Sequence, residues 1–381
     1  MGDDANELLA HLTGASVQTQ PVPATLLAAL ADGPASPSAL ANEYDLDRQR
    51  VYQRFEPLTD HRAVLHDDGT FRWTGLGVVL HRILEETVTD SGVTRAAIAF
   101  LTASEYRGWI LSQLRTNPAT KAELAGDGDR PSRATVHRAI TAFEERGWVM
   151  TTADSSGYEV TPTGERLSLA YDTATTAIEH ALSRAPFLTC CDTTVDHIPL
   201  AGLAAADQYV IRPELPDPSR DIRRQMQVTE LDSYRGFMSV VSRDLAETGD
   251  EIIRSNAETE LIITERVLYN LPTKGPYAAH VKRGLEATNF TLLVVPDVDV
   301  LPIGLSILDG ERVIMSPADL EQIPGSGPAS VVMGSDPALV RWCESLYETY
   351  RERARSPSRQ VLSDLKDRVT AAVSRTSDSE D

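Results

Sequence analysis

Lysine and cysteine are scarce in this 381-residue sequence. Its three cysteines, Cys190, Cys191 and Cys343, form no CxxC pair and show no spacing typical of metal ligands. This pattern argues against a zinc or iron–sulfur framework, and we expect no metal and no cofactor. Cys190 and Cys191 end a short apolar segment, Phe187–Cys191, which we interpret as a strand with buried thiols rather than as a redox sensor.

Long hydrophobic runs are also missing. No apolar run approaches the roughly 20 residues that a membrane span requires, and the N-terminus lacks a basic flank followed by an apolar core. We therefore expect a soluble, cytoplasmic protein with no membrane partner. The length exceeds that of one ordinary domain and fits two or three.

Catalytic motifs are absent or incomplete. The sequence contains no glycine-rich phosphate loop, no GxSxG elbow and no HExxH. His280 and Lys282 match the first part of the HxK motif of phospholipase D, but Ala287 stands where an aspartate should follow. The segment is also predicted to be helical, whereas the catalytic histidine should follow a strand. We expect the protein not to be an enzyme.

The charge is strongly acidic. With 56 acidic and 36 basic residues the formal net charge is −20, and the few lysines leave arginine as the main cation. This composition is similar to that of proteins from extremely halophilic archaea. In molar salt the Debye length falls to about 3 Å, so overall acidity would repel DNA far less than in dilute buffer. Local arginines would then decide whether nucleic acid is bound.

One segment has the pattern of the recognition helix of a winged helix-turn-helix, which lies in the DNA major groove. Ser132 is a suitable N-cap, and Val136, Ile140 and Phe143 fall on one face at i, i+4 and i+7. Gly147 ends the helix, and two short strands that follow predict the wing. The DNA-binding candidates on this helix are Ser132, Arg133, Thr135, His137 and Arg138.

The same pattern occurs earlier in the chain. Asp47 is an N-cap type, and Val51, Phe55 and Leu58 share one face. Pro57 removes a helical hydrogen bond and is expected to kink or end this helix, which makes it the weaker candidate for binding DNA. Its candidate DNA-binding residues are Arg48, Gln49 and Tyr52.

Each copy continues in the same order. A hairpin is followed by a threonine, a glycine and an apolar-periodic helix, and we align Thr74 and Gly75 with Thr163 and Gly164. The repeated order indicates duplicated domains. The helix after the second hairpin would connect to the rest of the chain, and its apolar residues would bury against a partner subunit or against their own chain. These residues are Leu167, Leu169, Ala170, Ala174, Ile178 and Leu182.

After residue 185 short β-type segments alternate with helical ones, which indicates an α/β domain. The predicted strands are 208–211, 260–264, 290–295, 304–308 and 312–315, and the predicted helices are 231–248, 264–271, 277–287 and 337–354. Open α/β sheets bind ligands at the carboxyl ends of strands, so we expect a pocket near Ile263, Val295 and Leu308. The ligand-binding candidates are Thr264, Glu265 and Arg266. A packed dimerisation domain without a pocket is the alternative.

These observations predict an α+β fold: two N-terminal winged helix-turn-helix domains followed by an α/β effector-like domain. The boundaries that we expect are 1–90 and 91–165 for the two winged helices, 166–185 for the connecting helix, 186–355 for the effector or dimerisation domain, and 356–381 for a C-terminal helix and acidic tail.

The chain resembles archaeal winged-helix transcription regulators whose C-terminal half is a methanogenesis-regulator-type middle domain. The matching segments are Ser132–Arg138, Glu260–Ile263 with Val267 and Leu268, Leu301–Gly310 and Ala338–Arg351. It is also similar in layout to TrmB-like regulators, in which a winged helix is joined to a degenerate phospholipase-D-like domain. The resemblance covers most of residues 95–355. It implies a dimeric, DNA-binding regulator without naming an effector.

We therefore expect a haloarchaeal, sequence-specific transcription regulator that binds double-stranded DNA as a homodimer and responds to a small-molecule effector through its C-terminal domain. The alternative from another class is a protein–protein interaction module of the transcription machinery, whose winged helices do not contact DNA directly. Net acidity favours the alternative, whereas the arginines on the two predicted recognition helices favour DNA.

Overall fold

The computed structural model divides into two compact units, Met1–Ala185 and Pro186–Asp381, and combines helices with sheet. The residues that it describes are 2–15, 21–128, 130–153, 156–211, 222, 226, 230–239, 243–270, 277–296, 300–318 and 329–377. Within these residues no helix is both long enough and apolar enough to cross a bilayer.

The N-terminal unit contains two modules with the same order of elements. In the first module this order is α1 (Gly2–Thr13), α2 (Pro23–Ala28), α3 (Pro37–Glu43), α4 (Arg48–Asp60), β1 (Val64–Asp67), β2 (Thr70–Trp73) and α5 (Gly75–Ser91). In the second module it is α6 (Arg95–Thr102), α7 (Arg107–Thr116), α8 (Lys121–Leu124), α9 (Arg133–Glu145), β3 (Val149–Thr151), β4 (Tyr158–Val160) and α10 (Pro162–Ser183). α4 and α9 are the two helices that the sequence marks for DNA recognition.

Local chemistry explains where these two helices begin. The Asp47 carboxylate accepts from the Arg50 backbone N–H, and the Ser132 hydroxyl accepts from that of Thr135, so each side chain satisfies a donor of the first turn. α4 continues to Asp60, three residues beyond Pro57. Of the two outcomes expected at Pro57, a kink or an end, the end is excluded. Proline removes the hydrogen bond to residue 53, whose side chain is exposed, and leaves Val51, Phe55 and Leu58 buried.

A threonine joins each hairpin to the helix that follows it. The Thr74 hydroxyl donates to the Arg62 carbonyl, and the Thr161 hydroxyl donates to the Gly147 carbonyl. A glycine follows each threonine by three residues and packs against the backbone carbonyl just before the first strand of the hairpin. This glycine is Gly77 in one module and Gly164 in the other. The structural equivalents are thus Thr74 with Thr161 and Gly77 with Gly164. Aligning Thr74 and Gly75 with Thr163 and Gly164 is incorrect by two residues.

The C-terminal unit is built around a seven-stranded mixed sheet with strand order β5-β11-β10-β9-β6-β7-β8. Its strands are β5 (Asp207–Ile211), β6 (Ser233–Met238), β7 (Glu258–Thr264), β8 (Phe290–Val295), β9 (Ile303–Leu308), β10 (Arg312–Pro317) and β11 (Ala329–Gly334). Its helices are α11 (Ala185–Leu188), α12 (Leu200–Ala205), α13 (Arg243–Arg254), α14 (Glu265–Asn270), α15 (Tyr277–Glu286), α16 (Pro337–Arg351) and α17 (Arg359–Ser377), with a 3₁₀ turn at Thr193–Val195.

Two sequence-based expectations in this unit are wrong. Residues 231–248, predicted as one helix, contain the central strand β6 and only the beginning of α13. The segment Phe187–Cys191, predicted as a strand, begins as α11 and continues as a turn in which the Cys190 and Cys191 thiols donate to the carbonyls of residues four positions earlier. Burial raises the pKa of the Cys191 thiol, which disfavours the reactive thiolate.

Strand direction also changes the predicted ligand site. β6, β7 and β8 run parallel, so Thr264 and Val295 are paired at one edge of the sheet. β9 runs antiparallel to β6, and Leu308 pairs with Tyr234 near the beginning of that strand. The carboxyl end of β9 therefore lies at the opposite edge. A pocket that uses the ends at Ile263, Val295 and Leu308 together is excluded by this topology.

Candidate nucleic-acid interface

The beginning of α9 is fixed by its own side chains. The Ser132 hydroxyl lies 3.2 Å from the Thr135 backbone nitrogen and 3.0 Å from the Thr135 hydroxyl. Val136, Ile140 and Phe143 are fully buried on the opposite face. Ser132 and Thr135 therefore set where the helix starts and which face remains outside.

Three cationic or titratable side chains lie on that outer face. Arg133, His137 and Arg138 are all exposed in the first two turns of α9. All three are accessible to a ligand, because the helix packs through its other side. Guanidinium groups bind phosphates and the O6 and N7 atoms of guanine, so these side chains have the chemistry required for both backbone and base contacts.

Lys121 adds a cation that the sequence reasoning missed. It is the first residue of α8, its ammonium lies 3.1 Å from His137 Nδ1, and it also lies 5.0 Å from the centre of the Tyr158 ring. Because an ammonium can only donate, His137 Nδ1 accepts this bond, and the neutral imidazole keeps its proton on Nε2 as a donor. Lysine is rare in this chain, and its position at the first turn after a capping threonine was the available signal.

The charge along α9 changes sign from its beginning to its end. Glu144 and Glu145 are exposed in the last turn, whereas Arg146 is held back over the Phe100 ring at 3.8 Å from its centre. The cations are therefore concentrated at the beginning of the helix and the anions at its end. Since DNA attracts cations and repels carboxylates, the beginning of α9 is the part suited to the major groove.

The hairpin beside α9 has an open surface. Met150 and Thr151 on β3 are exposed, and β4 pairs with β3 from Tyr158 to Val160. Gly157 lies against the Ala119 backbone, where a Cβ atom would be 3.1 Å from the carbonyl carbon. The tip, which includes Ser155 of the predicted turn, lies outside the described residues.

In the first module the corresponding surface is less cationic. Arg48 and Gln49 are exposed, and Tyr52 is 45% exposed while its ring lies 5.4 Å from those of His66 and Phe71. Arg54 is turned inward, and burial, followed by the charge of Arg50, lowers its pKa. An open groove of about 550 Å³ separates α4 from β1, and the acidic residues that line it are Glu56 and Asp67.

The three ligand-site candidates in the C-terminal unit differ in exposure. Thr264 is fully buried, and its hydroxyl accepts from the Val267 backbone N–H at the beginning of α14. Its polar atom is therefore used as a helix cap. Glu265 and Arg266 are exposed at the same edge of the sheet and are the two members of the set that remain open to solvent.

His280 belongs to a charged cluster between two helices. Its Nδ1 lies 2.9 Å from the carboxylate of Asp250, a side chain that is only 1% exposed, and Arg283 donates two hydrogen bonds of 2.7 Å to the same carboxylate. Burial alone would raise the pKa of Asp250, but the bonds from Arg283, His280 and Arg254 lower it well below its usual value. The cluster thus joins α13 to α15 through charge-assisted hydrogen bonds.

The segments that carry the family resemblance contact one another. The Tyr347 hydroxyl on α16 donates to Glu260 on β7 at 2.7 Å, and Arg351 donates to the same carboxylate at 2.6 Å. In the hairpin loop after β9, the Asp309 carboxylate accepts from the backbone N–H groups of Asp232 and Ser233. These residues therefore hold α16 and β6 in place, which gives them a structural role.

Two family models match the chain. The HVO_A0261 N-terminal domain matches residues 95–183, which contain α6 to α10, and the middle domain of the methanogenesis regulatory protein FilR1 matches residues 219–353. No curated protein matches.

Solved structures show only distant likenesses. TrmBL2, an archaeal chromatin protein, is 15% identical over 73% of this chain and 100% of its own, with a TM-score of 0.31. The phospholipase D family member Nuc from Salmonella typhimurium and NucT from Helicobacter pylori are each 11% identical over 40% of this chain and over 98% and 99% of their own, with TM-scores of 0.30 and 0.31. Scores of this size establish no common fold, so the two family models carry the assignment. The resemblance predicted from the sequence is confirmed by these two matches: residues 95–183 are similar to the HVO_A0261 N-terminal domain and residues 219–353 to the middle domain of the methanogenesis regulatory protein FilR1.

Proposed function

We propose that the protein is a sequence-specific, DNA-binding transcription regulator whose two N-terminal modules are winged helices. The single observation that carries this proposal is the outer face of α9, where Arg133, His137 and Arg138 are exposed beside Lys121. The helix that presents them is capped by Ser132 and anchored by three buried side chains. The cationic face is therefore held on a rigid element, as a base-reading surface requires.

The acidity of the whole chain is compatible with this function at high salt. At 1 M salt the Debye length is about 3 Å, so carboxylates elsewhere on the surface barely affect a phosphate bound at α9. Contacts within hydrogen-bond distance are much less screened. We therefore expect specificity to persist in molar KCl, although the nonspecific electrostatic contribution decreases with salt.

Arg138 is the residue whose removal should weaken DNA binding most clearly. Duplexes selected from a random library in 2 M KCl supply the probe, and affinity is measured by fluorescence anisotropy. We expect Arg138→Ala to reduce affinity about tenfold or more, because a bidentate arginine–guanine contact contributes about 1–3 kcal/mol. Arg133→Ala should have an effect of the same kind.

Arg341→Ala is the matched control. Arg341 is exposed on α16 in the C-terminal unit, so this variant removes the same charge without changing α9. It should bind the selected duplex like the unmodified protein. Wild-type affinity in both α9 variants would refute the assignment, and enrichment of no duplex at all would refute the proposed function.

The interaction-module alternative is supported by the acidic groove between α4 and β1. Glu56 and Asp67 would repel phosphate there but would suit a basic protein segment. The first module is where the alternative applies best, because its recognition helix has turned Arg54 inward. Binding of the selected duplex that is unchanged by every α4 substitution would favour a protein partner for this module.

Effector binding forms the finer part of the proposal. A small molecule would regulate DNA binding only if its affinity differs between the DNA-competent and DNA-incompetent states. The exposed side chains of Glu265 and Arg266, at the carboxyl ends of parallel strands, are the polar groups that we propose for such a ligand. We also propose that the C-terminal unit binds without chemistry, since His280 serves an ion-pair cluster.

A further inference from the structure

The two N-terminal modules are equivalent in detail, beyond their order of elements. In each module a side-chain hydroxyl caps the third helix. The residue just before that cap pairs with the second strand of the hairpin through backbone hydrogen bonds. The same threonine and glycine then join the hairpin to the last helix. The paired residues are Ser36 and Thr120 for the cap, Ala35 and Ala119 for the backbone pairing, Thr74 and Thr161, and Gly77 and Gly164 for the junction. These pairs define which helix of one module corresponds to which helix of the other.

Corresponding helices contact each other across the boundary between the modules. α5 packs on α10, its counterpart, and α1 packs on α6, which occupies the same place in the order of elements. In a two-fold dimer an element near the axis meets the same element of the other subunit. α1 also packs on α10, where the Tyr171 hydroxyl donates to Asn6 Oδ1 at 2.9 Å, so the symmetry is approximate.

The contact is apolar and belongs to the core. Leu8, Leu9 and Leu12 on α1 are buried, and so are four of the six apolar α10 residues that were expected to pack against a partner subunit or against their own chain. These four are Leu167, Ala170, Ala174 and Ile178, whereas Leu169 is 49% exposed. α10 packs on α5 and α1 of the first module and on α7 of its own, so these four residues are buried within the chain and are not available to a partner subunit. Burial of this kind holds the two modules as one body.

The two outer faces present different chemistry. On α9 the exposed groups include Arg133, His137 and Arg138. On α4 they include Arg48, Arg50, which is paired with Asp47, and the glutamines Gln49 and Gln53, which have no counterpart on α9. Arginine pairs with the O6 and N7 atoms of guanine, and glutamine pairs with the N6 and N7 atoms of adenine. Arginine is available on both faces, so it is the glutamine pair that would add a preference for adenine at α4.

From these observations we propose that one chain is an intramolecular pseudo-dimer that binds two unequal, inverted DNA half-sites. The half-site at α9 contains guanine, and the half-site at α4 contains adenine. The inference rests on the proposed function, because it assigns the DNA partner in more detail. Paired helix-turn-helix readers bind half-sites separated by whole helical turns of about 10 base pairs, and we expect that separation within a single complex.

Footprinting combined with mass measurement tests this arrangement. Duplexes selected with the full chain in 2 M KCl are probed by hydroxyl-radical cleavage, and the mass of the complex is measured by light scattering. We expect two protected regions on one duplex bound by one 41.6-kDa chain. Arg138→Ala should abolish protection of the guanine-containing half-site, and Gln49→Ala combined with Gln53→Ala should abolish that of the adenine-containing one.

Gln113→Ala is the control for the α4 variant, because Gln113 is exposed on α7 of the same unit. It should leave both protected regions unchanged. The Gln49 and Gln53 double variant should lose on the order of tenfold in affinity. All three substitutions are at exposed positions, so the circular dichroism spectrum and melting temperature should stay as in the unmodified chain.

The outcomes separate the two proposals. Failure to select any duplex refutes the proposed function. A single protected region that is sensitive to Arg138→Ala and insensitive to the α4 variant overturns the pseudo-dimer while leaving the proposed function intact. Two protected regions that require two chains per duplex overturn it as well, because each chain would then supply one half-site.

Discussion

The two N-terminal modules share a scaffold and differ in the surface that they present. Both join hairpin to helix through a threonine and a glycine three residues later. Both helices begin with exposed arginine, but α9 adds Arg138 and the neighbouring Lys121, whereas on α4 Arg50 is paired with Asp47 and Arg54 is turned into the protein. α4 also borders a groove that contains Glu56 and Asp67. Backbone contacts therefore constrain a few positions of each module strictly, while the outer helix face is free to diverge toward a different ligand.

The glycines should show the largest effect, and an equal one in both modules. A Cβ atom at Gly77 would lie 2.2 Å from the Ala63 carbonyl oxygen, and one at Gly164 would lie 1.9 Å from that of Trp148. Backbone cannot yield as a side-chain tip would, so α5 or α10 must move away from its hairpin. We expect Gly77→Ala and Gly164→Ala each to lower the free energy of local opening by about 3 kcal/mol. Native-state hydrogen exchange of the amides in α5 and α10 measures this free energy of local opening.

Gly249→Ala provides the control for this pair. No atom lies within 4 Å of a Cβ built at Gly249, which is inside α13, so alanine should be neutral or stabilise by up to about 1 kcal/mol. A large effect in only one module would mean that the two junctions are not equivalent. Unchanged exchange in both would show that the close approach of glycine to carbonyl does not fix the hairpin.

Local pattern sufficed to predict the helices α4 and α9. Ser132 and Asp47 cap them, and apolar residues at helical spacing are buried as expected. These signals act within one or two turns, so the sequence displays them directly. Lys121 was missed because α8 is a single turn, and only tertiary packing brings its ammonium to His137.

Long-range pairing explains the failures. Residues 233–238 have no strict alternation, and Gly236 within them is required because a Cβ atom would lie 2.6 Å from the Leu305 carbonyl oxygen of β9. That neighbour is remote in sequence. The direction of β9, which moves Leu308 to the far edge of the sheet, also depends on its pairing with β6. The packing of α5 on α10 likewise follows from tertiary structure.

The junction threonines should show an intermediate effect that distinguishes the modules. Thr161 accepts from the Gly164 backbone N–H and so also caps α10, whereas Thr74 makes no such bond and is 1% exposed. We expect Thr74→Val to cost about 1–2 kcal/mol, because the partly buried Arg62 carbonyl loses its donor. Thr161→Val should cost about 1 kcal/mol, mainly through the lost helix cap, since its bond to the Gly147 carbonyl is exposed. Only Thr161→Val should speed amide exchange in the first turn of the following helix. Thr→Ser at either position keeps the hydroxyl, so stability and amide exchange should both stay as in the unmodified protein. Faster exchange in the first turn of α5 in Thr74→Val would contradict the expected difference between the modules.

The smallest effect should come from the residue that lies two positions before the first strand of each hairpin. Gly147 has φ of 67°, and the equivalent Arg62 has φ of 57°, so both occupy the left-handed region where a side chain is unfavourable. No atom lies within 4 Å of a Cβ built at Gly147, so Gly147→Ala should cost only the conformational strain, about 1 kcal/mol. Arg62→Gly relieves the same strain but gives the unfolded chain more freedom, worth roughly 0.5–1 kcal/mol, and the two terms nearly cancel. Urea unfolding followed through the tryptophans of each module measures both variants. A loss of 2 kcal/mol or more in Arg62→Gly would show that its side-chain contacts, rather than its backbone, maintain the first module.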